Sequence, residues 1–180
     1  MNITELLIHS VTRCNAREAE NHVPDSPGYY AIFVNCSGRL PLPFPEILRR
    51  QLQRELIYIG IAKESLRYRL VHQDLHHRGS SSFFRSLGAV LGFRPPIGSL
   101  YGLRNKCNYK FSRSDTLKII KWINENLSVR WLAKQPALIA SERAAIQSHQ
   151  PLLNITHNSS ASSEVKGLRV VCRNLARQAS

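Results

Sequence analysis

Two short runs of apolar residues constrain the fold of this chain more than any other feature. Residues 29–34 read Tyr-Tyr-Ala-Ile-Phe-Val, and residues 56–61 read Leu-Ile-Tyr-Ile-Gly-Ile. Continuous β-branched and aromatic runs of this length are typical of strands that are buried on both faces. The sequence therefore predicts two buried strands, and residues 128–133 predict a third.

Helical periodicity occupies much of the remaining chain, where apolar residues recur three and four positions apart. The predicted helices cover residues 44–55, 66–77, 83–91, 115–127 and 136–149, with Ser65, Ser82 and Ser114 as N-caps of three of them and Pro136 opening the last. Residues 108–111 predict a further short strand. This order of strands and helices indicates a small α/β (α+β) domain with few strands.

Basic residues outnumber acidic ones by more than two to one. The 180-residue chain has 25 Lys and Arg against 12 Asp and Glu, which gives a formal net charge of +13 and favours a polyanionic partner. Hydrophobic residues make up 43% of the chain, which argues against disorder throughout. Residues 65–121 hold 11 of the basic side chains and two acids. The candidate nucleic-acid contacts in this segment are Arg78, Arg85, Arg94, Arg104, Lys106, Lys110 and Arg113.

The four cysteines and the amino terminus bear on the cellular compartment. Cys14, Cys36, Cys107 and Cys172 are scattered and form no C-x-x-C pair, so neither a disulfide framework nor a zinc ribbon is indicated. The chain begins without a basic segment ahead of an apolar one, and its longest apolar run is only a few residues. We therefore expect a cytoplasmic protein that does not enter a membrane.

Glu142 lies in the middle of an apolar stripe on the last predicted helix. Leu138, Ile139, Ala145 and Ile146 define that stripe, and position 142 is one turn from both pairs. A carboxylate that faces inward is costly to bury unless a cation, a metal or a network of donors compensates it. The alternatives are that this helix face is open to solvent or that Glu142 pairs with an arginine.

An arginine and several tyrosines could act with this carboxylate. Arg69 flanks the inward face of helix 66–77, while Arg67 points further round. A guanidinium beside a carboxylate and a metal suits phosphoryl chemistry, because its fork of donors matches two phosphate oxygens. Either arginine could instead be a solvated helix residue. Tyr30 and Tyr58 lie on the predicted strands, where packing alone could explain them.

The ordered set of these features resembles the GIY-YIG nuclease family. The set comprises Gly28-Tyr29-Tyr30 on one strand, Tyr58-Ile59-Gly60 on the next, an arginine on the following helix, Glu142, and Pro151-Leu152-Leu153-Asn154. The resemblance covers residues 27–154. It implies that the protein hydrolyses phosphodiester bonds in nucleic acid, usually DNA. It also implies a small mixed, roughly three-stranded sheet flanked by helices.

The resemblance also implies roles for individual residues. Glu142 would bind one Mg²⁺ or Mn²⁺ ion at the scissile phosphate. Tyr30 and Tyr58 would lie near that phosphate, and Tyr30 is the one we expect to orient or deprotonate the attacking water. Because a free tyrosine has a pKa near ~10, that role requires strong positive charge nearby.

Four further residues complete the site that the resemblance implies. Arg69 would stabilise the transition state, and Asn154 would hold the site together by hydrogen bonds. Gly60 would allow close approach of the backbone, and Gly28 belongs to the first strand motif.

The chain departs from the family pattern after the second strand. Counting from Gly60, the family arginine falls on Tyr68, so a shift of one residue is needed and Arg67 remains an alternative to Arg69. Gln73 stands where the family often has a histidine, so His72 or Lys63 could be the assisting base.

The sequence divides into three parts. Residues 1–26 form an N-terminal extension, residues 27–157 the nuclease-like domain, and residues 158–180 a basic C-terminal tail that is flexible or becomes helical on contact. The long, proline-rich stretch between the strand motifs is expected to be a specificity element or a lid.

Two functions follow from these observations. The first is a metal-dependent DNA endonuclease, and the second is a catalytically inactive module that binds DNA or RNA on the same scaffold. RNA stays open as a substrate for the enzyme as well. A homodimer is one way for a single active site to cut both strands.

Overall fold

A four-stranded sheet forms the centre of the protein. The computed structural model describes residues 13–51, 53–105, 107–133 and 138–179. The strands are β1 (Arg13–Asn15), β2 (Gly28–Val34), β3 (Leu56–Ala62) and β4 (Leu127–Ala133). They lie in the order β1-β4-β2-β3, and every pairing is antiparallel.

Seven helices are described, and all but the first and the last lie on segments where helical periodicity predicts a helix. They are α1 (Ala19–His22), α2 (Phe44–Arg49), a π-helix (Arg67–Leu75), α3 (Ser82–Val90), α4 (Arg113–Asn126), α5 (Leu138–His149) and α6 (Ser163–Arg177), with short 3-10 turns at Ala16–Glu18 and Ser37–Arg39. Within the described residues, no helix combines the length and the apolar composition that a membrane span requires.

Both faces of the central strand β2 are covered, which explains its unbroken apolar sequence. All seven of its residues are buried. Tyr30, Ile32 and Val34 join the main core beneath the π-helix and α3, whereas Tyr29, Ala31 and Phe33 pack on the opposite face with Ala145 and Ile146 of α5. The sheet therefore separates α5, which carries Glu142, from α3 and from the π-helix, which carries Arg69.

The predicted α+β class is confirmed, and each of the three predicted strands forms within one residue of its expected bounds. The structure adds β1, which lies in the predicted N-terminal extension and pairs with β4. Its three residues, Arg13–Asn15, are too short and polar to give a strand signal, so only pairing with β4 explains their conformation.

Several local predictions are wrong. Residues 108–111 form no strand, because the buried Tyr109 and Phe111 pack as irregular chain. The N-caps of α3 and α4 are Ser81 and Ser112, whose hydroxyls accept hydrogen bonds from Phe84 N and Asp115 N, rather than Ser82 and Ser114. Helix α2 ends at Arg49. Pro136 lies outside the described residues.

The segment predicted as a flexible tail contains the well-formed helix α6. Ser162 caps it by accepting from Val165 N, and Val165, Cys172 and Ala176 are buried against the core. Of the two alternatives for this segment, the structure has the helix. The three buried residues and the partly buried Leu168 form the packed face, whereas Val170 and Val171 are exposed, so amphipathic packing explains only part of the apolar pattern.

Candidate functional site

A cleft of about 620 Å³ opens beside the edge strand β3. Tyr58 from β3, Arg69 from the π-helix and Glu142 from α5 all line it. The remaining lining comes mainly from α3, from the segment after α5 and from α6. Three residues that the sequence places far apart are thus brought together at one edge of the sheet.

Asp74 organises the floor beneath this cleft, and the sequence analysis did not single it out. Its side chain is fully buried. Oδ2 accepts a 2.5 Å hydrogen bond from the Tyr30 hydroxyl, and Oδ1 accepts bonds of 2.6 Å from both Arg69 Nη1 and the Ser81 hydroxyl. One carboxylate therefore ties together β2, the π-helix and the N-cap of α3.

The π-helix explains how Arg69 and Asp74 meet. Its wider turn, seen where His76 N bonds Val71 O, places residues five positions apart one above the other. In an α-helix, by contrast, positions 69 and 74 would point in different directions. The π-helix therefore supplies the contact that α-helical periodicity could not reveal.

Tyr30 lies under the cleft, whereas Tyr58 faces it. Tyr30 has no exposed surface and does not line the cleft, while Tyr58 keeps 6% of its surface and does. Burial raises the pKa of both phenols above their ordinary value, and the negative charge of Asp74 adds to the rise. Both tyrosines are therefore neutral at physiological pH.

The two motif glycines make room for neighbouring groups. A Cβ atom at Gly60, directly across from Tyr30 in the sheet, would overlap the Tyr30 ring. A Cβ at Gly28 would overlap the Leu132 carbonyl oxygen and crowd Leu66. Each glycine is thus required by close packing within the sheet rather than by an unusual backbone angle.

Arg69 is held by acceptors on its own helix. Nη1 bonds Gln73 Oε1 at 3.2 Å in addition to Asp74. Desolvation works against the charge of Arg69, but Tyr30 and Asp74 outweigh it and raise the pKa of the guanidinium above its ordinary value. Arg69 therefore presents a permanent, oriented positive charge at the cleft wall.

Glu142 is half-buried and faces that charge across the cleft. It also borders an adjoining cavity together with Lys63, Arg69 and Gln73. Burial raises the pKa of Glu142, while Arg69 and Lys63 pull it back. Among the described side chains none forms an ion pair or hydrogen bond with Glu142, so its oxygens are available to a ligand.

Asn154 fastens the segment after α5 to the outer edge of β3. Its Oδ1 accepts from Ile59 N and its Nδ2 donates to Ile59 O, both at 2.9 Å. Leu153 N bonds Ile57 O at 2.8 Å, and Asn158 Nδ2 bonds the Asn154 carbonyl oxygen. The side-chain amide of Asn154 thus pairs with the backbone of the edge strand as a neighbouring strand would. It also lines the cleft beside Tyr58.

The alternative arginine and one alternative base lie away from the cleft. Arg67 is exposed, and its Nε donates to Val23 O at 3.0 Å. His72 lies 3.8 Å from Glu20 and 3.4 Å from Arg78. Lys63 is exposed and shares the adjoining cavity with Glu142, so of these three it lies nearest the site.

The basic residues predicted to contact nucleic acid are dispersed. Arg85 is buried and bonds Ser80 Oγ, while Arg94 bonds the Ala89 and Phe93 carbonyls at the end of α3. The exposed members of the set are Arg78, Arg104, Lys110 and Arg113, and Lys106 lies outside the described residues. None of the six described members lines the cleft that holds Glu142. The basic wall of the cleft instead comes from α6, through Lys166, Arg169 and Arg173.

A signal for Asp74 was present in the sequence. Leu70, Val71 and Leu75 are the apolar residues of the π-helix segment, and position 74 is one turn from the first two. An acid on the apolar side of a helix is the same feature that drew attention to Glu142. The cleft-lining residues of α6 form part of a basic pattern in the sequence, but that pattern does not indicate where the helix packs.

The comparisons with known proteins agree with this geometry. The model of the GIY-YIG catalytic domain matches residues 28–171, which is most of the chain and includes every cleft residue described above except Arg173. No curated protein and no solved structure matches the chain. The match runs past the predicted domain end at residue 157 and into α6, and it shows that this chain belongs to the GIY-YIG family of nucleases.

Proposed function

We propose that this protein is a metal-dependent endonuclease that hydrolyses phosphodiester bonds in DNA. The observation that carries the proposal is that Tyr58, Arg69 and Glu142 meet at one cleft. The strong positive charge of the chain and its membership of a nuclease family support the proposal. A group that orients the attacking water, a cation and a carboxylate ligand are what phosphodiester hydrolysis needs at one point.

The donor set of the cleft fits one Mg²⁺ or Mn²⁺ ion. Within the described residues no three His, Cys, Asp or Glu side chains cluster, so a cage made only of protein ligands is absent there. Mg²⁺ commonly keeps several waters and takes one or two carboxylates together with substrate phosphate. The unpaired oxygens of Glu142 would hold the ion, which would supply Lewis-acid stabilisation of the phosphate oxygens.

The chain's own residues bind the phosphate and position the water. Arg69, fixed by Asp74, donates to the phosphate oxygens as negative charge builds on them. Tyr58 has a raised pKa and so acts as a neutral phenol, whose hydroxyl orients the attacking water by hydrogen bonding. Tyr30 supports Asp74 from below instead of meeting the substrate.

Plasmid cleavage tests the proposal directly. Purified protein with Mg²⁺ or Mn²⁺ is expected to nick or linearise supercoiled plasmid, and Glu142→Gln is expected to lose this activity while keeping its melting temperature. Glu125→Gln, which removes an exposed carboxylate from α4, is the matched control and should cleave normally. Loss of cleavage that follows only from unfolding of the Glu142 variant would count against the assignment.

A binding module without catalysis is the second candidate function. It is favoured by Gln73, which occupies the position of a frequent family histidine and bonds Arg69. This alternative expects salt-sensitive binding that is indifferent to metal. Plasmid that stays intact after long incubation with either metal, together with such binding, would support it over the enzyme.

A further inference from the structure

Helix α6 presents a row of cations to the cleft that the nuclease motif does not use. Lys166, Arg169 and Arg173 occupy positions i, i+3 and i+7 and therefore lie on one face of the helix. All three line the cleft that contains Tyr58 and Glu142. The adjoining face of α6, with Val165, Cys172 and Ala176, is buried in the core, so the orientation of this row is fixed.

Arg169 is held in place by α3. Its Nη1 donates to Ser86 Oγ at 2.8 Å and to the Ser82 carbonyl oxygen at 3.1 Å. Its guanidinium lies 5.8 Å from the centre of the Tyr109 ring. These contacts orient the side chain without neutralising its charge, because none of the partners is an acid.

None of the three cations in the row forms an ion pair with an acid in the described part of the chain. Glu164 is the one carboxylate on α6, and it accepts hydrogen bonds from Ser162 and Ser163 at the start of the helix. Behind the row, the buried Arg85 also lacks an acidic partner among the described residues. Burial lowers the pKa of Arg85, and the charge of Arg169 lowers it further. Positive charges that the protein concentrates and leaves unpaired favour an anion from outside.

The spacing of the row matches a nucleic-acid strand. Seven residues of α-helix advance ~10 Å from Lys166 to Arg173. Each strand of B-form DNA carries one phosphate per ~3.4 Å of helix axis, so a row of this length laid along the duplex axis spans about three phosphate intervals. A small anion such as free phosphate would need only one of these cations.

We propose that Lys166, Arg169 and Arg173 form a binding site for consecutive backbone phosphates of the nucleic acid that flank the bond to be cut. The site rests on the proposed function, since it takes the ligand of this cleft to be a nucleic-acid strand. Its role is to fix the position of the strand relative to Arg69 and Glu142. It reads no bases, because phosphate contacts carry no sequence information directly.

The salt dependence of binding tests this site without requiring cleavage. The double variant Lys166→Gln/Arg173→Gln is compared with wild type and with Lys118→Gln/Lys121→Gln, which removes the same charge from the exposed face of α4. Arg169 is left intact because it packs against α3. The probe is a fluorescein-labelled 30-bp DNA duplex in EDTA, with the dissociation constant measured from ~50 to ~300 mM salt.

The slope of log Kd against log salt concentration shows whether the α6 row contacts phosphates. Loss of two phosphate contacts should make the slope shallower by about 1.8 for the α6 variant, and weaken binding about tenfold or more at low salt. The α4 control should keep the wild-type slope, and all three proteins should keep the same melting temperature. Equal slopes for the two double variants would overturn the site.

Failure of the site and failure of the proposed function give different results. If wild type cleaves plasmid but the two double variants share one slope, the nuclease stands and the α6 site is wrong. If wild type leaves plasmid intact but the α6 variant alone loses slope, the site stands and the catalytic assignment is wrong. Absence of any binding by wild type would overturn the site.

Discussion

The Tyr30 hydroxyl donates a hydrogen bond to the Asp74 carboxylate, although the two residues are 44 positions apart in the chain. The same carboxylate also accepts hydrogen bonds from Arg69 and Ser81. The first-motif tyrosine is thereby connected to the cleft through a buried acid rather than by direct contact. In the proposed reaction Asp74 is a positioning residue, because it would act on the substrate only through Arg69.

Asp74→Asn should destabilise the fold and misplace Arg69. The change removes the negative charge that faces Arg69 and places an amide donor among existing donors. Breaking a buried ion pair costs about 3–5 kcal/mol, and because Arg69 is partly exposed we expect a loss of roughly 2–3 kcal/mol in the free energy of unfolding. Urea denaturation measures this value, and the KM for duplex DNA should rise in the variant that remains folded.

The matched control for this prediction is Asp115→Asn on α4. Asp115 forms a 3.5 Å ion pair with Lys118 at the surface. Exposed pairs contribute at most about 1 kcal/mol, so the control should lose little stability and keep its KM. Equal losses in the two variants would mean that Asp74 has no special part in the site.

Two tyrosine variants should have different effects. Tyr58→Phe should mainly slow cleavage, whereas Tyr30→Phe should mainly lower stability. Tyr58→Phe removes the hydroxyl that faces the cleft, so we expect single-turnover cleavage to slow by about 10²–10⁴-fold with a small change in stability. Tyr30→Phe leaves Asp74 short of a donor and should lower the free energy of unfolding by about 1–3 kcal/mol. Cleavage rates and urea midpoints of both variants give the answer. A larger rate loss in Tyr30→Phe at unchanged stability would restore Tyr30 as the residue that orients water.

Strands and most helices could be predicted because each has a local cause. The runs at β2 and β3 are buried on both faces, and α4 repeats its apolar residues at helical spacing. Strand β1 has no such cause, since its three residues extend only because β4 offers them an edge. Local sequence cannot contain a preference that arises from a partner 115 positions away, as the contact of Arg13 with Ser128 illustrates.

The candidate site divides in the same way. Glu142 and Arg69 were predicted from their helix faces and from the family resemblance, and the structure brings both to the cleft. The α-helical period hid the contact between Arg69 and Asp74, because a π-helix places residues five apart on one side. The basic wall came from α6 rather than from residues 78–113, since helix packing decides which of many arginines borders a cleft.

Asn154→Ala should loosen the segment that follows α5 from β3. The variant removes both bonds to the Ile59 backbone, which belongs to the outer edge of the sheet that Asn154 covers. We expect the free energy of unfolding to fall by about 2–3 kcal/mol, and the Ile59 amide to exchange its hydrogen faster. Cleavage should fall because Leu153 and Asn154 form part of the cleft wall.

An exposed asparagine serves as the control for that experiment. Asn105→Ala removes a side chain that caps a local turn, where Oδ1 accepts from Cys107 N and Asn108 N. It should leave exchange at Ile59 unchanged. Normal exchange at Ile59 in Asn154→Ala would show that the amide pair does not hold the β3 edge.

His77 is half-buried in the neutral form beside α3. Its ring stacks on Phe84 at 4.1 Å, and neither ring nitrogen has a hydrogen-bond partner in the described structure. Burial, together with the positive charges of Arg85 and Lys110, lowers the pKa of His77 from 6.5 to about 4. Protonation of this ring therefore favours the unfolded chain.

His77→Asn should make the protein less sensitive to acid. The pKa of His77 is lower in the folded than in the unfolded state, so its contribution to stability is complete above pH 6.5 and is lost as the pH falls towards 4. After allowance for partial solvent exposure, we expect wild type to lose roughly 1–2 kcal/mol more than the variant over this range. Asparagine tolerates the left-handed backbone at position 77, where φ is 53°.

His157→Asn, at an exposed position with φ of 61°, is the control and should follow the wild-type curve in urea denaturation at each pH. Because both variants replace a left-handed histidine by asparagine, a flatter pH curve in His77→Asn alone isolates the buried ring as its cause, and parallel curves in all three proteins would rule that ring out.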